Sequence, residues 1–191
     1  MQGAKPLAGK NVAIMVASGF TEAHMTDVQK ALISAGAQTA IVSPEIGVAN
    51  GWHDGGWGHN FFVDEKISDV LPSQFDLLLT PGGERSTMSL ASNAHSRRVM
   101  KGMLEAGKPV AITDDAATLL VDAEVASGRT VSTIPAAAEK LSGAGASVAE
   151  DVVTVDGNLI SMAATEGMDA FIVAVKAALG LEEEKAEEEA A

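Results

Sequence analysis

Apolar residues along the chain follow two alternating periods. Residues 12–17, Val-Ala-Ile-Met-Val-Ala, form an unbroken apolar run closed by Ser18-Gly19. Such a run predicts a strand buried on both faces, the habit of parallel sheets. Thr21 stands where a helix cap belongs. Met25, Val28, Ala31, Leu32 and Ala35 then recur at helical spacing, and Gly36 predicts the stop. Residues 39–43 read as a second buried strand, ended by Pro44. Strand, helix and strand in this order call for a right-handed crossover and parallel pairing.

The rhythm continues. Residues 75–80 predict a strand that runs into Pro81-Gly82-Gly83, and residues 93–106 a helix ended by Gly107. A strand over 109–113 passes at once into a helix over 115–123. A short strand over 130–133 and a helix over 136–141 follow. Residues 152–161 predict a hairpin turning at Asp156-Gly157, and 168–179 a last amphipathic helix. This alternation predicts a three-layer α/β/α sandwich, with residues 1–180 as one domain and no internal repeat. Residues 49–60 break the pattern. They hold Trp52, Trp57, His53 and His59 among Gly51, Gly55, Gly56 and Gly58. So many glycines predict no regular element but a long excursion, functional or used in assembly.

Composition narrows the picture. Hydrophobic residues make up 47% of the 191 and aromatics only 4%, so the core must be built of Val, Ile, Leu, Ala and Met. No apolar run is long enough to span a bilayer, and the first residues lack the apolar core of a secretory signal. Cysteine is absent, which excludes disulfides, thiolate metal sites and cysteine chemistry and fits a cytoplasmic protein. A net charge of −13 argues against nucleic-acid and anionic-membrane partners. Part of that charge sits in residues 181–191, a Glu-rich run with no apolar face. It reads as a frayed or disordered acidic tail, with partner binding as the alternative.

Open parallel sheets bind ligands beyond the C-terminal ends of their strands. Three junctions qualify here: residues 18–24, 80–84 and 113–116. The third is the sharpest, because no loop residue separates strand from helix. Such an elbow projects one side chain over the sheet edge, the place of the nucleophile in hydrolases of related shape. Here that residue is Asp114. The amide of Asp115 and those of Gly82 and Gly83 would form nests for an oxyanion. From composition alone, Asp114 reads more simply as a plain helix cap, with Asp115 placed favourably in the first turn.

At these residues the chain resembles the PfpI-type intracellular protease/amidase family. That family belongs to the class I glutamine amidotransferase-like superfamily, which also holds the Parkinson-disease deglycase-like proteins. The resemblance runs over residues 10–180. It is carried by Gly51-Trp52, Trp57-Gly58, Ile67-Ser-Asp69, Phe75-Asp-Leu-Leu-Leu-Thr-Pro-Gly-Gly83, Glu105-Ala-Gly-Lys-Pro-Val-Ala111, Gly128-Arg-Thr130, Gly143-Ala-Gly-Ala146 and Val155-Asp-Gly-Asn-Leu-Ile160. It implies a flavodoxin-like, doubly wound, mostly parallel sheet. The family pattern after Lys-Pro-Val-Ala is two residues and then Cys-His-Gly-Pro. This chain has Ile112-Thr113-Asp114-Asp115-Ala116-Ala117. The resemblance therefore puts Asp114 at the cysteine position and Asp115 at the neighbouring histidine. The family's first-helix Glu becomes His24, while the nearby acidic residue persists as Glu22.

A carboxylate is a far weaker nucleophile than a thiolate. Cysteine-dependent protease, amidase, deglycase and glyoxalase activities are not expected, nor is cysteine oxidation sensing. Thr113, as the last strand residue, need not face the pocket. His24 is expected beside Asp114, as a general base with its orienting partner. His59 or His53 could complete a divalent-metal site with the carboxylates, but the spacing is no recognised motif, and no metal or cofactor is expected. His95 reads as a surface residue.

Three functions stay open. One is a non-enzymatic or residually active, stress-related pseudoenzyme that binds a small molecule. Another is a hydrolase or lyase for a small carbonyl or amide, with Asp114 and His24 in acid–base roles. The third is a chaperone-like holdase. The resemblance also implies a homodimer or larger homo-oligomer. The Trp52–Trp57 segment is the expected interface, since buried aromatics dominate such contacts.

Overall fold

The computed structural model describes residues 5–181. The acidic run at 182–191 lies outside them. The chain opens with β1 (Asn11–Met15), β2 (Phe20–Thr21), α1 (Glu22–Ala35) and β3 (Gln38–Ser43). A hairpin of β4 (Val48–His53) and β5 (Gly56–Phe62) follows, then β6 (Glu65–Lys66) and β7 (Leu77–Thr80). Next come α2 (Glu84–Ser92), α3 (Ala94–Glu105), β8 (Val110–Thr113) and the short α4 (Leu119–Asp122). The chain continues through β9 (Thr130–Val131), α5 (Pro135–Gly143), β10 (Ser147–Val148), β11 (Val153–Asp156), β12 (Leu159–Met162) and α6 (Met168–Ala178).

The central sheet has seven strands in the order β11-β12-β8-β7-β1-β3-β6. All neighbours run parallel except β11, which returns antiparallel on β12. The order reverses at β1, which lies between β3 and β7. This is the switch point of a flavodoxin-like sheet. Strand residues alternate between two cores. Ala13, Met15, Leu78, Val110 and Ile112 pack with Val99, Met103, Leu120 and Leu141 from α3, α4 and α5. Val12, Ile14, Leu77, Leu79 and Ile160 pack with Met25, Leu32, Phe171 and Val175 from α1 and α6. The two-faced burial explains why the strands read as continuous apolar runs. No helix among the described residues is long and apolar enough to cross a membrane.

Three local expectations change. Residues 49–60 are not an irregular excursion but most of the β4–β5 hairpin. Asp54 and Gly55, with φ 48° and 76°, supply the two positive values of a type I′ turn. The glycines at 51 and 58 serve packing, as described below. The helix expected over 115–123 starts instead as a tight 3-10 turn, Asp114–Thr118, and becomes α-helical only at Leu119. Thr21 does hold the cap position of α1, but its side chain makes no capping bond.

Helix α2 was not predicted at all. Its sequence, Glu-Arg-Ser-Thr-Met-Ser-Leu-Ala-Ser, has no apolar stripe, and its cap is Gly83, whose φ of 125° no other residue tolerates comfortably. The β11–β12 hairpin forms where expected, but its turn is Gly157-Asn158, one residue later than Asp156-Gly157, because Asp156 still pairs with Leu159. Gly36 stops α1 as expected, and Asn93 caps α3 instead of opening it.

Candidate functional site

The three predicted junctions converge. Thr21 N–H donates to the Gly82 carbonyl at 2.7 Å. Gly82 N–H donates to Thr113 Oγ1 at 2.9 Å, which ties the Pro-Gly-Gly turn to the end of β8. Thr113 is fully buried, and the same hydroxyl lies 3.0 Å from His24 Nδ1. The last strand residue thus ties the junction together from behind and, as the sequence reading allowed, does not line the cleft.

Asp114 follows directly. Its φ is 50°, a left-handed value uncommon outside glycine. The bend takes the chain from β8 into the 3-10 turn with no residue to spare. Thr133 Oγ1 holds the elbow by donating to the Asp114 carbonyl at 2.7 Å. The carboxylate is set against α1, with Oδ2 at 3.3 Å from His24 Nδ1. Asp114 keeps 18% of its side chain exposed, whereas His24 keeps 2%.

The imidazole is held on both sides. Nδ1 meets the Thr113 hydroxyl at 3.0 Å and lies 3.3 Å from the Asp114 carboxylate, a charge contact. Nε2 lies 3.0 Å from Thr165 Oγ1. Both ring nitrogens are therefore covered by the protein, and His24 is a positioning group behind Asp114. Thr165, which opens the 3-10 turn before α6, carries no signal in the sequence.

The expected anion nests are occupied by this chain itself. Gly83 N–H donates to Asp115 Oδ1 at 2.8 Å, and Gly82 N–H is taken by Thr113. This corrects the expectation that the two glycine amides stand open to an oxyanion. The sequence made the opposite reading natural because a helix-start carboxylate ordinarily caps its own helix. Here Asp115 reaches sideways to the neighbouring turn. The approach is close enough that a Cβ on Gly82 would meet Asp115 Oδ1 at 2.7 Å and the Thr113 carbonyl at 2.8 Å.

Beyond the elbow opens a cleft of about 540 Å³. Asp114, Asp115 and Gly83 line it, together with residues that include Thr87, Met88 and Ile134. Thr87 and Met88 come from α2 and so escaped the sequence reading.

Glu22 and His59 form a separate pair. Glu22 is 7% exposed, accepts from the His59 amide at 2.9 Å, and holds the His59 ring nitrogen Nδ1 at 2.6 Å. A Cβ on Gly58 would sit 2.1 Å from Glu22 Oε2 and one on Gly51 2.5 Å from it. The two glycines let the hairpin close over the carboxylate. His53 instead pairs with exposed Asp54 at 3.1 Å. Neither loop histidine joins the Asp pair, and no group of three His, Asp or Glu among the described residues converges as metal ligands. Trp52 and Trp57 stack edge to face with centroids 5.3 Å apart, and the Arg85 guanidinium lies over both rings. Trp57 remains 58% exposed. His95 is exposed, as expected.

Burial pushes the Glu22 carboxyl up, but the His59 amide and ring and the His53 charge outweigh it, and its pKa falls below the usual 4.5. The sign follows: a group whose folded pKa is depressed stabilises fully above its unfolded value and loses that contribution as pH falls through the folded one. Glu22→Gln is expected to cost about 1–2 kcal/mol near pH 6, with the gap from the parent closing below pH about 4. Urea titrations at several pH values check this. A gap independent of pH would refute it.

A doubly wound sheet with a sharp strand-to-helix elbow at the C-terminal edge of its parallel strands defines a class of α/β proteins. Residues 10–178 match the DJ-1/PfpI family. The chain is 30% identical over 164 residues to an uncharacterised protein of Staphylococcus haemolyticus, covering 85% of this chain and 93% of that one. It is also 30% identical over 150 residues to a deglycase of Pyrococcus abyssi, covering 78% and 87%. Among solved structures, a two-domain protein of Anabaena variabilis with DJ-1/ThiJ/PfpI-like and ferritin-like domains superposes with a TM-score of 0.85 at 22% identity. That match covers 93% of this chain, which spans about half (52%) of the two-domain protein. The chain belongs to the DJ-1/PfpI family.

Proposed function

We propose that this is a DJ-1/PfpI protein that works by binding a small ligand in the elbow cleft, without cysteine chemistry. The chain has no cysteine. Its elbow side chain, Asp114, faces an open cleft of about 540 Å³ and is held from behind by a buried imidazole. That arrangement carries the reading. It presents one partly exposed carboxylate at a fixed position, which suits recognition of a hydrogen-bond donor or a positive charge.

A second reading is an acid–base enzyme acting on a small carbonyl or amide. The 3.3 Å contact between His24 and Asp114 favours it. Against it stand the two glycine amides, both already bonded to Thr113 and Asp115, which leaves developing negative charge without those donors. The imidazole is also covered at both nitrogens.

Small amines, amides and aldehydes titrated against the parent and Asp114→Asn separate the two. The expected result is saturable binding to the parent, about tenfold weaker in the variant, with no conversion of the ligand. Catalytic consumption of a compound by the parent, lost in Asp114→Asn, would put the second reading in place of the first.

A further inference from the structure

The charge of the cleft is unusual for a site with glycine-amide turns at its edge. Asp114, Asp115 and Glu84 all line it, and no lining residue is Lys, Arg or His. Amides that would ordinarily welcome an anion hold internal acceptors instead: Asp115 Oδ1 on Gly83 N–H and Thr113 Oγ1 on Gly82 N–H. An anionic ligand would have to displace a carboxylate already seated there. Arg85, next to Glu84 in the chain, does not offset the charge, because its guanidinium lies 5.8 Å from the Trp52 ring and 5.7 Å from the Trp57 ring.

An independent observation points the same way. Thr87 lines the cleft and is 6% exposed, yet its hydroxyl has no hydrogen-bond partner among the described residues. A buried polar atom without a partner costs free energy, and a ligand N–H donor would remove that cost. Met88 and Ile134 give the cleft an apolar wall beside the carboxylates. The acids do not converge as metal ligands. From these features we propose that the cleft takes an organic cation, a primary ammonium or an amidinium or guanidinium group on a short apolar body. The proposal rests on the small-ligand reading and names the ligand's class. The net charge of −13 adds long-range attraction for such a ligand.

Four probes of similar size test it: benzylammonium, benzamidinium, benzyl alcohol and benzoate. Each is titrated at low and high salt, with affinity and location read from backbone amide NMR shifts at Met88, Thr118 and Ala136. Both cations are expected to bind about tenfold or more tightly than benzyl alcohol at low salt, with benzoate weakest. Added salt narrows the difference. Asp115→Asn keeps an acceptor for Gly83 N–H while removing the charge, and it is expected to weaken cation binding about threefold to tenfold. Glu84→Gln, at an exposed position in the first turn of α2, is expected to act in the same direction. Benzyl alcohol or benzoate binding in the cleft as tightly as the cations would overturn the proposal and leave the small-ligand reading intact. Cation affinity unchanged in both variants would also overturn it. Shifts at the cleft from none of the four probes would sink both.

Discussion

Gly83→Ala is expected to lower stability by about 4 kcal/mol, enough to unfold much of the population of an ordinary domain near its melting temperature. Two costs add. Gly83 has φ 125° and ψ 115°, a backbone region that only glycine enters without strain. A Cβ there would lie 2.3 Å from the Gly19 carbonyl oxygen, 2.8 Å from Phe20 Cα and 3.0 Å from Thr21 N. All three are backbone atoms, so no rotamer change relieves the clash. Nor is that backbone free to retreat: Gly19 N–H is bonded to the Asn50 carbonyl and Thr21 N–H to the Gly82 carbonyl. Each contributing cost is about 1–3 kcal/mol. Gly107→Ala is the matched control. Gly107 also has positive φ, at 70°, but nothing lies within 4 Å of its would-be Cβ. That change is expected to cost about 1 kcal/mol, the left-handed penalty alone. Equal losses for the two variants in urea unfolding would show that the close approach of β2 to the Pro-Gly-Gly turn is not what Gly83 is for.

The close approach explains what the sequence showed and what it hid. The sheet was legible because burial on both faces leaves an unmistakable record: Val12 to Ala17, Leu77 to Leu79 and Val110 to Ile112 admit no polar residue. The elbow was legible because a strand that becomes a helix with no loop between leaves Asp114 only one place to go. The hairpin reads as an irregular excursion because its glycines suggest no regular element. In fact Gly51 and Gly58 make room for the Glu22 carboxylate, and only the Asp54-Gly55 dipeptide advertised the turn.

The wall of the cleft was missed for a different reason. Helix α2 is held by Ser86, which accepts from Ala17 N–H, and by burial of Leu90, not by an apolar stripe. Periodicity has nothing to register there. Side-chain partners across the junction were also beyond reach. Asp115 and Gly83 are 32 residues apart, and which turn a carboxylate reaches toward is set by packing of the whole sheet edge.

Thr113→Val is the second large effect, expected to cost about 2–3 kcal/mol although the two side chains have the same shape. The Thr113 hydroxyl is fully buried and serves two partners. It accepts from Gly82 N–H at 2.9 Å and meets His24 Nδ1 at 3.0 Å. Valine leaves the Gly82 amide, itself buried, with no acceptor, and takes the hydroxyl partner from His24 Nδ1. A buried donor that loses its acceptor costs about 1–3 kcal/mol, and water has no easy way in to replace it. Thr113→Ser separates the hydroxyl from the methyl group. Serine keeps the oxygen and removes one methyl, for a loss of about 1 kcal/mol. Hydrogen exchange at the Gly82 amide gives a local reading that global stability does not: it is expected to quicken in Thr113→Val beyond the general loosening and to stay protected in Thr113→Ser. The ligand site responds as well. With the hydroxyl gone, the imidazole behind Asp114 keeps only its Thr165 hydroxyl partner, and ligand affinity is expected to fall even where the variant is fully folded. Should valine prove as stable as serine with Gly82 equally protected, the hydroxyl would be incidental. The junction between β8 and the Pro-Gly-Gly turn would then rest on packing alone.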